Sequence, residues 1–158
     1  MLSCYDVANY FLTLIDEEAG DLISNLKLQK LVYYAQGFHI ALYDRQLFPE
    51  PIEAWIHGPV VPALFHFYKR YGAGAIPPPG EVDFSVYDPP TRELLDEVYS
   101  VFGQFSAWKL RNLTHEEPPW QNTPIGEEIS VEALRDYFNT QLVNHGKNQV
   151  VHVGWKSV

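Results

Sequence analysis

The sequence predicts a mainly α-helical, single globular domain: five to six helices around a buried central helix, with a small two-stranded β element. Three observations predict it. Apolar residues recur at spacings of three and four through most of the chain, which is the period of an amphipathic helix. Ser3, Asp88, Ser106 and Ser130 each stand just before such a run, where a short polar side chain caps a helix N-terminus. One run, Leu26–Leu42, has almost no charged face. A helix that is apolar or aromatic nearly all round is buried between other elements.

In order, the first helix is expected from about Cys4 to Ala19, with Val7, Tyr10, Phe11 and Leu14 as its stripe and Gly20 as its stop. The central helix follows Asn25, and its Gly37 implies that another backbone or a partner passes close by. A turn-rich link, Asp44–Pro51, leads to a short strand, Ile52–Ile56. Gly58-Pro59 is expected to turn the chain, because the residue before proline is driven out of the helical region. Pro62 fits the first turn of the next helix, which Gly72 ends. In the irregular Gly72–Pro90 segment, Val82, Phe84 and Val86 alternate like a half-buried strand that could pair with Ile52–Ile56.

Asp88 opens a helix with Leu94, Leu95, Val98, Val101, Phe102 and Phe105 on its buried face. Ser106 opens a shorter one through about Leu113. Thr114–Pro124 reads as a proline-rich loop, and Ser130 caps a last helix with Leu134, Tyr137 and Phe138 inward. Residues 1–144 form the domain and 145–158 a tail, either a strand around Val150, Val151 and Val153 or disordered.

The composition narrows the function. With 46 % hydrophobic and 20 % charged residues, the chain of 158 residues is not a disordered protein. Its formal charge of −9 argues against a general nucleic-acid binder, which needs a basic footprint. The same charge suits a basic protein partner, or simply solubility. Cys4 is the lone cysteine and no zinc-type Cys/His spacing exists. Without a signal sequence or a run of eighteen apolar residues, a cytoplasmic protein with no membrane segment is expected.

Candidate chemistry is sparse. His57, His66, His115, Glu116 and Glu117 are the residue types of a metal or acid–base site, but His115-Glu116-Glu117-Pro118-Pro119 lacks the helical spacing of a zinc hydrolase. No metal and no cofactor is expected. His39 reads as a hydrogen-bonded core histidine. Lys27 and Lys30 lie beside tyrosines without a glycine-rich phosphate loop, so they read as lysines whose stems cover neighbours. Two stretches, Trp55–Pro62 and Thr114–Trp120, each combine tryptophan, histidine and proline. Either they clasp each other inside the molecule, or they present a rigid surface to a partner.

These stretches carry a resemblance. KLQKLVYYAQ (Lys27 to Gln36), PIEAWIHGPVVPALFHFYK (Pro51 to Lys69) and LTHEEPPW (Leu113 to Trp120) together resemble the SocA-like or GepA-like phage-associated proteins, the Panacea antitoxin domain. The resemblance covers about residues 3 to 140. It implies a non-enzymatic antitoxin of a bacterial or prophage toxin–antitoxin pair, neutralising a protein toxin encoded nearby by direct binding. For the SocA type it also implies an adaptor that delivers the toxin to a ClpXP-type protease. On this reading Lys27, Leu28, Gln29, Lys30, Tyr34, Gln36, Gly58, Pro59, Pro62, Thr114, His115, Glu116 and Pro119 are the shared framework. Tyr33, Trp55, His57 and Trp120 are the residues expected to meet the partner. The rivals are a metal-dependent or phosphate-cleaving enzyme using His57, His115 and Glu116, and a prophage regulator that binds DNA.

Overall fold

The computed structural model describes residues 1–144 and 151–153, which form one mainly helical domain. Helix α1 (Cys4–Thr13) is capped by Ser3, whose hydroxyl accepts from the Asp6 N–H while the Asp6 carboxylate accepts from the Ser3 N–H. That reciprocal pair satisfies two of the helix's orphan donors. The helix stops six residues before the expected Ala19. Asp16 accepts the Ala19 N–H through its side chain, and turns run on to Gly20. A short carboxylate that bonds its own backbone offers the chain an alternative to the helix.

Helix α2 (Asn25–Tyr43) is the central helix, buried at every position from Lys27 through Ile40. Asp44 ends it in the left-handed region, at φ 54°. Around α2 pack α1, α4 (Pro89–Phe102), α5 (Ala107–His115) and α7 (Val131–Asn139). Asp88, Ser106 and Ser130 cap the last three through their side chains, at the expected positions. Pro62 begins the short α3 (Pro62–Phe67) at its first turn. A single 3₁₀ turn, Lys69–Tyr71, separates α3 from Gly72.

The cover over Gly37 is α7. A Cβ at position 37 would collide with the Phe138 ring, 2.1 Å from its Cε2, so glycine is what lets that ring lie against the α2 backbone. Tyr33, Tyr34 and Phe38 surround the same ring edge-on, and Phe102 of α4 stacks on Tyr34 at 3.9 Å. Gly37 and Ile40 are thus closed off by the domain itself.

The β element is a hairpin of β1 (Glu53–Trp55) and β2 (Gly58–Val60), with Glu53 opposite Val60 and Trp55 opposite Gly58. This corrects two expectations. The chain reverses at Ile56-His57, and Gly58-Pro59 lie inside β2, because glycine at φ 110° carries the chain out of the tight turn. The strand expected at Val82–Val86 is instead a 3₁₀ turn, Phe84–Val86. There the Asp83 carboxylate accepts from both the N–H and the hydroxyl of Ser85. The other edge of β1 is taken by residues 126–129, through Ala54 N–H to Glu127 O and Gly126 N–H to Ala54 O.

A second antiparallel pair joins β3 (Leu142–Asn144) to β4 (Val151–Val153). The expected tail, 145–158, otherwise lies outside the described residues. No helix among the described residues is long and apolar enough to cross a membrane.

Candidate functional site

The three sequence stretches meet on one side of α2. The inner side of their meeting is polar, buried and fully occupied. Gln29 donates to Asn25 and accepts the Val61 N–H at 3.0 Å, while Gln36 donates to Phe48 O and accepts the Leu47 N–H. Lys27 donates to the Gly103 carbonyl at the C-terminus of α4, at 2.6 Å, where a cation also meets the favourable end of the helix dipole. Lys30 donates to Pro59 O at 3.1 Å. Each α2 side chain therefore satisfies a backbone group of a different segment. Buried polar groups must find such partners or carry the full desolvation cost.

The sequence suggested only that their stems cover neighbours; both lysines are buried, with their ammonium groups on backbone carbonyls. Burial, with the Arg111 guanidinium close by, pushes Lys30 from 10.5 down to about 7. Gly58 closes over it. A Cβ there would stand 2.7 Å from both Lys30 Cε and Thr114 Oγ1, so this contact also requires glycine.

The same interior holds a buried carboxylate that the sequence did not mark as part of the framework. Glu117 is buried and accepts from Tyr33 Oη at 2.9 Å and Tyr34 Oη at 2.8 Å, with Tyr137 of α7 hydrogen-bonded to it as well. Burial and that shared carboxylate push all three phenols well above the ordinary tyrosine range. Glu117 is also the N-cap residue of α6 (Pro118–Gln121). The Thr114–Pro124 stretch is therefore not a plain loop. Thr114 and His115 finish α5, and Pro118 and Pro119 start a one-turn helix, since proline is compatible with a first helical turn. The signal in the sequence was the pair Glu117-Pro118, a carboxylate immediately before a proline-initiated turn. Its meaning depends on the tyrosines brought to it from α2.

Tyr33, expected on a partner-facing surface, is fully buried in this network. That placement corrects the expectation, and the cause is the Glu117 acceptor behind it. The other three partner candidates lie further out. Trp120 is half-buried and donates its indole N–H to Trp55 O at 2.7 Å. His115 packs against the Trp120 ring at a tilt of 41°, its Nδ1 2.7 Å from Arg111 O and its Nε2 2.8 Å from Ile56 O. Both neighbours are carbonyl acceptors, so both contacts are hydrogen bonds only when the imidazole carries two protons. The two tryptophan–histidine–proline stretches do clasp each other.

Outside the clasp the same stretches leave an apolar groove of about 350 Å³, lined by Leu26, Trp55, Ile56, Phe65 and Ile125 with His57 at its end. Ile56 is 67 % exposed and Ile125 56 %. His57 is exposed, accepts from Arg111 Nε through Nδ1 at 3.1 Å, and packs beside the exposed Trp108, over which the Arg111 guanidinium lies at 4.4 Å. With Nδ1 accepting, the neutral ring keeps its proton on Nε2, ready to donate outward.

The groups suspected of enzyme chemistry are not gathered. His115 is engaged with two carbonyls, His57 with Arg111, and Glu116 and His66 are exposed. Among the described residues no group of three His, Cys, Asp or Glu side chains is placed to hold a metal ion. Cys4 is buried, and burial beside Glu50 pushes its thiol up to about 12, the opposite of an activated nucleophile.

Comparison with known proteins bears on this geometry. The model of the antitoxin SocA-like family, Panacea domain, matches residues 28–121, more than half of the chain. The chain belongs to the SocA-like Panacea family. The matched span begins inside α2 and ends at the last residue of α6, so it encloses Lys30, the hairpin, the clasp and Glu117. The chain is also similar to antitoxin SocA of Caulobacter vibrioides, with 28 % identity over 148 aligned residues covering 77 % of this chain and 75 % of that protein. No solved structure matches. The Panacea span thus holds most of the buried polar side chains that tie the surrounding segments to α2, with Lys27 just before it.

Proposed function

We propose that the protein is a non-enzymatic antitoxin that neutralises a protein toxin by direct binding. The observation that carries this reading is the family membership, whose matched span contains the clasp and most of the residues that line the apolar groove. A domain whose buried polar groups are satisfied within itself has a rigid frame, and a rigid frame lowers the ordering cost of binding. The groove supplies what such a frame would present: Trp55, Ile56 and Ile125 as apolar contacts, and His57 with Trp108 and Arg111 as a polar and aromatic margin. Tryptophan and arginine are the side chains that most often dominate binding energy. A toxin interface of ordinary size buries about 800 Å² on each partner, more than the groove alone provides.

On this reading the complex forms in the cytoplasm, without nucleic acid. Residues 1–144 are the acting unit, and 145–158 a tail without an assigned role. Coexpression with the toxin encoded beside it tests the proposal. The expected result is relief of growth arrest together with co-purification of a stable pair. Continued arrest without co-purification overturns it. Delivery to a ClpXP-type protease would also relieve arrest, but the toxin would then disappear. A toxin that stays abundant in rescued cells supports sequestration.

A further inference from the structure

A second groove, of about 430 Å³, lies between the segment that precedes α2 and residues 71–78, and no part of the reading above uses it. Its floor and walls are apolar: Ile15, Leu22 and Ile23 from the segment before α2, Ile76, Pro77 and Pro78 from the segment facing it. The two segments are held in place by the Ile76 N–H donating to Ile23 O at 2.9 Å and by the antiparallel bridge of Ser24 with Ala75. Leu22 is 65 % exposed on its rim. The polar lining consists of Glu17, Asp21 and Tyr71; no lysine or arginine lines the groove itself, and Arg70 donates to the Tyr71 phenol from outside it at 3.0 Å. Asp16 and Glu18 follow on the same exposed turn. An apolar trough with anionic walls, in a chain of net charge −9, complements one kind of segment. That segment has aliphatic side chains on one face and lysine or arginine on the flanks.

We propose that this groove seats a basic amphipathic segment of the toxin, a partner assignment that rests on the antitoxin reading. The aliphatic face would enter between Leu22 and Pro77-Pro78, and the cations would meet Glu17 and Asp21 at the rim. The two prolines fix one wall before binding, so that wall has little to order. The contact is rim electrostatics over an apolar floor, so it should weaken as salt is raised.

A fluorescein-labelled sixteen-residue peptide with leucine at helical spacing and lysine elsewhere is the probe, and the same peptide with glutamate for lysine is its control. Fluorescence anisotropy should show the full chain binding the lysine peptide and not the glutamate one. Glu17→Lys combined with Leu22→Ser should weaken binding at least roughly tenfold. Glu127→Lys, a like change of charge at an exposed site elsewhere, should leave it unchanged. Asp21→Asn, with folding verified by circular dichroism, gives a second reading should Leu22→Ser disturb the turn. No binding to the wild-type chain, or equal loss in Glu127→Lys, overturns the groove assignment. Growth rescue separates the two proposals. Rescue that survives Glu17→Lys/Leu22→Ser undiminished removes this groove and leaves the antitoxin reading, whereas failure of the wild-type chain to rescue removes the toxin from both.

Discussion

Two of the three Panacea stretches, Pro51–Lys69 and Leu113–Trp120, have an inner and an outer half, and the two halves obey different rules. Inside, Lys30, Tyr33, Tyr34, Gly58, Thr114 and Glu117 form a polar interior in which the Lys30 ammonium, the two phenols and the Thr114 hydroxyl each reach an acceptor. Outside, Leu26, Ile56 and His57 line an open apolar groove that nothing in the described chain fills. A stretch of eight residues such as Leu113–Trp120 serves both, with Glu117 in the interior and Glu116 in water. The inner half fixes the shape and the outer half displays it. Substitutions in the two halves should therefore separate stability from binding.

The largest effect is expected at Glu117. Glu117→Ala removes the acceptor of three buried phenols at once, and an unsatisfied buried donor costs about 1–3 kcal/mol. Together with the space left behind, a loss of about 4 kcal/mol is expected, a large share of the stability of a domain this size. Glu117→Gln keeps one amide oxygen for the phenols and should lose roughly half as much. Urea denaturation followed by tryptophan fluorescence reads both. A loss below about 1 kcal/mol in Glu117→Ala would show that the network contributes little to stability.

Next comes Gly37. On helix propensity alone, Gly37→Ala would stabilise α2 by about 1 kcal/mol. The Phe138 ring occupies the space of the new methyl, so a net loss of about 1–3 kcal/mol is expected instead. Combining it with Phe138→Leu should cost less than the sum of the two single changes, because the smaller side chain vacates that space. Additive costs would mean that the ring and the backbone of α2 do not touch in solution.

How much of this was legible beforehand depends on how far apart the cause and its effect lie in the chain. The caps at Ser3, Asp88, Ser106 and Ser130 act on the N–H three residues later, so they could be read directly. The absence of charge around α2 also foretold its burial. Gly37 announced a close approach but not its source, since Phe138 lies about a hundred residues on. The lysines misled for the same reason. An isolated lysine is nearly always a surface residue, and only the Gly103 and Pro59 carbonyls, placed by α4 and the hairpin, make Lys27 and Lys30 interior ones. The alternation Val82-Asp83-Phe84-Ser85-Val86 has the period of a strand, but the Asp83 side chain took the local backbone first. Of the outer half, Trp55 and His57 could be named from the sequence. Trp108 and Ile125 could not, because each stands alone in its own segment.

A third prediction concerns pH. Lys30 holds its proton to about 10.5 in the unfolded chain and only to about 7 in the folded one. Between those values the unfolded state binds more protons, so stability rises with pH from about 7 to about 10.5. Below about 7 both states are protonated and the folded chain carries the full cost of a buried charge. Lys30→Met should remove that slope, with a gain on the order of 1–2 kcal/mol at pH 6 that shrinks as pH rises. At higher pH the phenols oppose the trend. Tyr33, Tyr34 and Tyr137 are held protonated in the folded state above their ordinary range, so their contribution is lost as pH climbs past about 10. Thermal melts of the two proteins from pH 6 to 9.5 test this. Parallel curves would mean that Lys30 does not titrate differently on folding.

The smallest effect on stability should accompany the largest effect on function. Ile56→Ser and Ile125→Ser alter side chains that are mostly in water, so each should shift stability by no more than about 0.5 kcal/mol. If the outer groove meets the toxin, removing those apolar contacts should weaken the complex by about 1–2 kcal/mol per side chain, or roughly tenfold in affinity. Trp108→Ala should act in the same direction, and through His57 as well, since Arg111 is then held by one aromatic face fewer. Calorimetric titration of the toxin into each variant, beside its melting curve, reads affinity and stability together. A groove variant that loses stability and binding in proportion would erase the distinction between the two halves. Loss of binding at an unchanged melting temperature would establish it, because a side chain can then matter to the complex without being part of what holds the free domain together.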